Sequence, residues 1–316
     1  MNRVLKKLTG TILLSALIIS VSPITAQAAE YPKPVNTLVD TIWLEANLSN
    51  PNLVLLQVSA DDGTYERGHI QGARKIIWKS ELANQAAAKN KNGIVSQRIF
   101  TKVAKKLGIS SDSIVVLYGE KSQLQATWGF WVFKLYGSSN IYLLDGGLPK
   151  WIADGGATTL TVPDAAKTGT FTASTRNFAL RAQLKDVLRA VNSTRKTKPV
   201  IVDNRAVDGW LGKSSATGLG NAAQAGRIPA AKSIPTTTLQ NANGTFKSKS
   251  EIKAAFAAAG VDGKRQTILY CGTGLLASAA WFALTQILDY SNVKNYDGSW
   301  YEYAGTAGVP VEKPAA

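Results

Sequence analysis

Thr267-Ile268-Leu269-Tyr270-Cys271-Gly272-Thr273-Gly274-Leu275-Leu276, continued by Ala277-Ser278-Ala279-Ala280-Trp281-Phe282-Ala283-Leu284, sets the reading of the whole chain. An apolar β-type run ends at the cysteine, a short glycine-bearing loop follows, and an Ala/Leu-rich helix begins. This order places Cys271, the only cysteine in 316 residues, at the mouth of a helix N-terminus. Free backbone N–H groups and the positive end of the helix dipole favour a thiolate there. Gly272 and Gly274 allow the loop to curl so that its N–H groups point inward as an anion cradle. A thiol in such a place is expected to titrate below the ~8.5 of a free cysteine. A lone cysteine by itself is more often a small buried hydrophobe. It is the strand–Cys–Gly-x-Gly–helix combination that points to a nucleophile.

The same plan occurs twice. Ile114-Val115-Val116-Leu117-Tyr118 is followed by a loop, a helix with Trp128, Phe130, Trp131 and Phe133, and then Ile141-Tyr142-Leu143-Leu144-Asp145-Gly146-Gly147. The later copy runs from Thr267–Tyr270 through a helix with Trp281 and Phe282 to Val293-Lys294-Asn295-Tyr296-Asp297-Gly298-Ser299. Tyr118 to Tyr270 and Asp145 to Asp297 are both offsets of 152. Upstream, Leu53–Val58 pairs with Val200–Asn204, and Gly68-His69-Ile70-Gln71-Gly72-Ala73 pairs with Gly226-Arg227-Ile228-Pro229-Ala230-Ala231. The second half carries extra residues at roughly Gly209–Gly220, including Lys213-Ser214-Ser215. A repeat this long means duplicated globular domains, not a solenoid.

Within each half, short apolar runs alternate with amphipathic segments at Val35–Leu48, Gln97–Leu107, Leu180–Asn192 and Lys249–Ala259. Strand–helix alternation predicts an α/β fold: two tandem domains, each a mainly parallel sheet flanked by helices. The expected domains are residues 35–160 and 180–311, with 161–179 as linker, because Pro163–Arg176 is rich in Thr, Ala, Ser and Lys without strong periodicity.

The first 28 residues read as a secretory signal. Arg3, Lys6 and Lys7 precede an apolar run from Thr11 to Ile24 interrupted by Ser15, Ser20, Ser22 and Pro23, and Ala26-Gln27-Ala28 offers a cleavage site. Export to the periplasm or the medium is therefore expected, with no stable membrane insertion after cleavage. One cysteine cannot form an internal disulfide, and an unpaired thiol in an oxidising compartment argues for a use. The formal net charge is +15, of which the three leader cations account for three, leaving +12. The lysines and arginines are scattered, with no aromatic-basic recognition motif, so nucleic acid is not an expected partner. Attraction to small anions or to an acidic envelope surface fits better, beside a plain solubility role. One histidine and one cysteine are poor material for a Cys/His dyad or a zinc site, so no cofactor or metal is expected.

Taken in order, these motifs resemble the tandem rhodanese-domain sulfurtransferases over nearly the whole chain after the leader. The residues that carry the resemblance are the His/Arg-Ile-x-Gly/Ala-Ala turn in each half, the strand–Cys–loop–helix, Asp145-Gly-Gly-Leu-Pro-x-Trp151 and Asp203-Asn204-Arg205. It implies an inactive first domain and an active second one, and Gly119 indeed stands where Cys271 does at the repeat offset. It implies transfer of a sulfane sulfur from a small anionic donor, thiosulfate or 3-mercaptopyruvate, to a thiol or cyanide acceptor through a cysteine persulfide. On this sequence the nucleophile is Cys271, and the backbone of Gly272, Thr273, Gly274, Leu275 and Leu276 is the cradle. Arg205 is the candidate grip for the donor's anionic head, with a structural salt bridge to Asp203 as its alternative. Cys271-Gly272-Thr273-Gly274 is similar to the mercaptopyruvate-type loop, although Leu275-Leu276 places apolar bulk at its end. A cysteine phosphatase would need an arginine closing a Cys-x5-Arg loop, and Ala277 and Ser278 provide none. A non-catalytic exported sulfur carrier or binding module of the same fold is the second reading.

Overall fold

In the computed structural model, which describes residues 33–84, 93–213 and 225–313, each half builds one five-stranded sheet. The first uses β1 (Leu38–Val39), β2 (Leu53–Ser59), β3 (Arg74–Ile77), β4 (Ile114–Gly119) and β5 (Ile141–Leu144). The second uses β6 (Arg181–Ala182), β7 (Val200–Asp203), β8 (Lys232–Ser233), β9 (Thr267–Tyr270) and β10 (Val293–Tyr296). Their orders are the same, β1-β5-β4-β2-β3 and β6-β10-β9-β7-β8, and every pairing within them is parallel. The central strands are almost wholly buried and mostly apolar because helices cover both faces of a parallel sheet. The leader at 1–28 and most of the Gly209–Gly220 insertion, with Ser214 and Ser215, lie outside the described residues.

The helices that matter for the site are α1 (Thr41–Asn47), α2 (Gln97–Lys106), α3 (Leu124–Leu135) and α4 (Gly147–Ala153) in the first half. The second half has α5 (Leu184–Val191), α6 (Lys249–Ala258), α7 (Leu275–Phe282) and α8 (Ser299–Ala304). Two helix expectations are corrected at their start. Val35–Leu48 and Leu180–Asn192 each open with a two-residue edge strand, β1 and β6, and turn helical only after Asp40 and Gln183. Asp40 accepts the Trp43 N–H, and Gln183 closes a capping box with Asp186; these caps fix the starts. The strands were illegible because two residues show no period.

The two halves share one core. Helices α3 and α7, repeat copies of one another, pack face to face: Phe130 meets Phe282 edge-on at 4.8 Å, and the hydroxyls of Thr127 and Ser278 lie 3.0 Å apart. Each is buried on nearly all sides, which explains why neither sequence shows an amphipathic stripe. The shared core contains Leu117, Trp128, Trp131, Leu269, Cys271 and Trp281, and a smaller apolar cluster covers the outer face of each sheet. The segment expected as a linker has no helix but is pinned to the first half. Gly169 and Phe171 donate to the carbonyls of Lys105 and Ile109, and Arg176 holds the Tyr136 hydroxyl and the carbonyls of Ile94 and Val95.

Candidate active site at the end of strand β9

Cys271 follows the last residue of β9, and its side chain points into the face shared by the two halves. Alternation along the strand sends Tyr270 to the opposite, outer face, among Trp300 and Tyr303. The loop then turns through Gly274, whose φ of +88° belongs to the left-handed region. That turn brings the Gly274 N–H to 3.1 Å from the Cys271 sulfur. The N–H groups of Ala277, Thr273 and Leu276 act on the same sulfur, so with Gly274 four N–H groups of the loop and first helical turn surround it. Of the residues expected at Gly272–Leu276, Thr273, Gly274 and Leu276 supply N–H groups to the sulfur, and Ala277 adds a fourth. Leu275 and Leu276 are partly buried against the shared core. Their apolar bulk therefore anchors α7, while the Leu276 N–H serves the sulfur.

The electrostatics differ from expectation. Cys271 is 1 % exposed, and burial pushes its thiol above the ordinary value, against the pull of the four N–H groups. The lowered value expected from the helix N-terminus is not met, because complete burial removes the water that would solvate a thiolate. The cradle still stabilises negative charge on any sulfur that occupies it, including the outer atom of a bound anionic donor.

Several supports of the cradle went unseen in the sequence. The Cys271 N–H donates to Ser299 Oγ at 3.0 Å, and that hydroxyl donates to the Tyr296 carbonyl. Ser299 reaches this position with φ +52°, unusual for a residue with a side chain. Its repeat counterpart is Gly147, so Asp297-Gly298-Ser299 against Asp145-Gly146-Gly147 was the available signal. Thr236 Oγ1 lies 3.2 Å from the carbonyls of both Asn204 and Leu276, tying the end of β7 to the cradle. Asn295 donates to the Gly274 carbonyl at 3.4 Å. A Cβ built on Gly274 would stand 2.7 Å from Asp297 Cα and 3.1 Å from the Trp128 ring, so a side chain of the first half abuts the loop.

Arg205 is placed elsewhere. Its guanidinium makes a buried fork with Asp203, Nη2 to Oδ2 at 2.6 Å, and donates to the Gly226 carbonyl at 2.8 Å. It stacks over Trp300 at 4.7 Å, and Asp203 also accepts from the Tyr270 hydroxyl at 2.6 Å. The structure thus gives Arg205 the structural pairing on the Tyr270 side of the sheet, away from the face that Cys271 enters. His69 is buried, stacked on Tyr65 at 3.9 Å and hydrogen-bonded to the carbonyls of Tyr65 and Thr161. Among the described residues no cluster of three or more His, Cys, Asp or Glu could hold a metal. Nor is any helix among them long and apolar enough to cross a membrane.

The first half has the same frame with different contents. Tyr118 donates to Gln57 as Tyr270 does to Asp203, and each tyrosine accepts an N–H, from Ile70 and from Ile228. After Gly119, however, the loop collapses: a Cβ there would overlap the Ser122 carbonyl. Glu120 turns inward and accepts from Gln57, Ser59 and the Ala60 N–H. No room is left for a sulfur.

Comparison with known proteins identifies the duplicated domain. The pattern of the rhodanese-like domain matches residues 40–154 and again 184–306. A relative from Saccharopolyspora erythraea, provisionally named a thiosulfate sulfurtransferase, is 39% identical over 88% of this chain and 96% of its own. The sulfur carrier protein TtuD of Thermus thermophilus is 35% identical over 87% of this chain and 96% of its own. Among solved structures, the 3-mercaptopyruvate sulfurtransferase SseA of Escherichia coli superposes with TM-score 0.72 and 25% identity, covering 84% of this chain and 99% of that one.

Proposed function

Since this chain belongs to the tandem rhodanese-domain sulfurtransferases, we propose that Cys271 is its sulfur-carrying nucleophile and that the donor is 3-mercaptopyruvate or thiosulfate. The observation that carries the proposal is the Cys271 sulfur enclosed by the N–H groups of Thr273, Gly274, Leu276 and Ala277. In the first step the Cys271 thiol loses its proton, and the resulting thiolate attacks the outer sulfur of the donor. A new S–S bond forms, and the bond to the donor's remainder breaks with its electron pair. Sulfite leaves from thiosulfate, and pyruvate enolate, which takes up a proton, leaves from mercaptopyruvate. In the second step a thiol or cyanide attacks the outer persulfide sulfur, and the Cys271 thiolate is released. Neither step needs an external oxidant. The cradle acts where charge is greatest, on the anionic sulfur held between the two steps. The proposed setting is outside the cytoplasm, following the leader-like residues 1–28.

The test is thiocyanate formation from thiosulfate or 3-mercaptopyruvate plus cyanide by the purified protein. Wild type turns over at least one donor, and Cys271→Ser, which changes one atom in a folded site, has no transfer. Transfer by Cys271→Ser would overturn the assignment. A second reading, a carrier that holds sulfur without rapid turnover, is favoured by the complete burial of Cys271 and by the likeness to the Thermus carrier. A mass increase of about 32 Da on Cys271 with negligible turnover would select it.

A further inference from the structure

At the opposite end of β9 the second half carries a cationic cleft that the first half lacks. It is an open cavity of about 610 Å³ lined by Arg189, Arg195, Lys198 and Lys294, with Asp186 at its side. Cys271 stands at the other end of the strand, five residues from the cleft's Gln266, or about 16 Å at ~3.3 Å per strand residue. The cleft is therefore separate from the cradle. Asp186 offsets the charge weakly, 3.6 Å from Arg189, and among the described residues Arg195, Lys198 and Lys294 have no ion-pair partner. Four cations around one acid leave a local excess that a favourable surface would not gather without a counter-charge.

The internal repeat serves as the control. By strand register, Lys198 stands where Asn52 does and Lys294 where Tyr142 does, and by helix position Arg189 stands where Ala46 does. The repeat offset rises from 143 between β1 and β6 to 146 between β2 and β7, so the loop before β7 is three residues longer. That longer loop carries Arg195, and it is built rather than slack: the Lys198 N–H donates to the Arg195 carbonyl and the Arg195 N–H to Ser193 Oγ. The helix dipole accounts for one cation, Arg189 in the last turn of α5. It does not account for the other three, which come from a loop and a strand. Guanidinium and ammonium groups converging on a concavity match oxyanions with more than one negative charge.

We propose that this cleft is a binding site for clustered anionic oxygens of the phosphate type. The experiment is calorimetric titration with inorganic tripolyphosphate at about 0.1 M salt, where separated surface charges are largely screened. The cleft variant Arg195→Gln/Lys198→Gln/Lys294→Gln is compared with Lys102→Gln/Lys167→Gln/Lys253→Gln, which removes the same charge from exposed positions elsewhere. Wild type and the control variant bind at one saturable site, and the cleft variant binds at least about tenfold more weakly. All three keep their sulfur-transfer rate. Equal weakening in both variants, or no saturable binding by wild type, overturns the proposal. Arg195→Gln alone, on the exposed turn, gives the same comparison if the triple variant does not fold. A parallel arm sediments the proteins with phosphatidylglycerol vesicles. Vesicle binding that the cleft variant loses identifies a lipid headgroup as the source of the phosphate, and tripolyphosphate binding without vesicle binding identifies a free anion.

Discussion

At the scale of the residue, burial and hydrogen bonding oppose each other at Cys271. Burial wins, so the thiol is raised. Alkylation of the free protein is therefore expected to rise with pH through and beyond the range of an ordinary thiol. A profile centred below about 8.5 would show that the cradle dominates or that the site opens. Arg205 poses a different question. Asp203 is fully buried and Arg205 nearly so, and removing one member of such a pair leaves an uncompensated charge. Arg205→Ala is expected to cost about 3–5 kcal/mol in denaturant unfolding. Arg205→Lys, which keeps the charge but not the fork, separates the two roles. A raised KM for the donor at normal kcat marks a donor contact, and a lowered melting temperature at normal KM marks structure alone.

At the scale of the element, what distinguishes the two β-strand–loop–helix units is backbone shape. The loop after β9 needs φ +88° at Gly274, and a methyl there would press on the backbone of Asp297. Gly274→Ala is expected to displace the N–H that lies 3.1 Å from the sulfur and to lower kcat about 10- to 100-fold, with the protein still folded. Unchanged kinetics would remove Gly274 from the cradle. The loop after β4 fails for a stronger reason than the lack of glycines visible in the sequence. A side chain at 119 would overlap the Ser122 carbonyl, and the Glu120 carboxylate already takes the hydrogen bonds of Gln57, Ser59 and Ala60. The double variant Gly119→Cys/Cys271→Ser is accordingly expected to show no transfer, and any thiocyanate it forms would contradict the collapsed loop.

At the scale of the whole molecule, the shared core makes the inactive half part of the active one. Trp128 abuts the cradle loop, Thr127 meets Ser278, and Asp145 reaches across to accept the Phe246 N–H at 2.9 Å. Asp297, the repeat counterpart of Asp145, is held by a fork from Arg181, whereas Leu38 occupies the arginine's place beside Asp145. Burial raises the Asp145 carboxyl to about 6. A raised carboxyl favours the folded state below the unfolded pKa and loses that contribution as pH rises through the folded one. The window is thus about pH 4 to 6. Asp145→Asn keeps an oxygen acceptor for Phe246 and removes the titration. Relative to wild type it is expected to gain on the order of 2 kcal/mol between pH 4 and pH 7 in chemical unfolding. A constant difference across that range would show that Asp145 is solvated. The sequence by itself determined the duplication, the parallel α/β class and the place of Cys271, because period, offset and a strand–Gly-x-Gly–helix order are local patterns that any neighbour must accommodate. It also showed that Gly119 leaves the first half without a nucleophile. Only the tertiary structure decided which face Cys271 enters, that Arg205 pairs with Asp203, that Ser299 and Thr236 brace the loop, and how far the thiol is shielded. Those depend on what the opposite half and the far strands bring to the same point, and burial at a point is a sum over the whole fold that no local pattern contains.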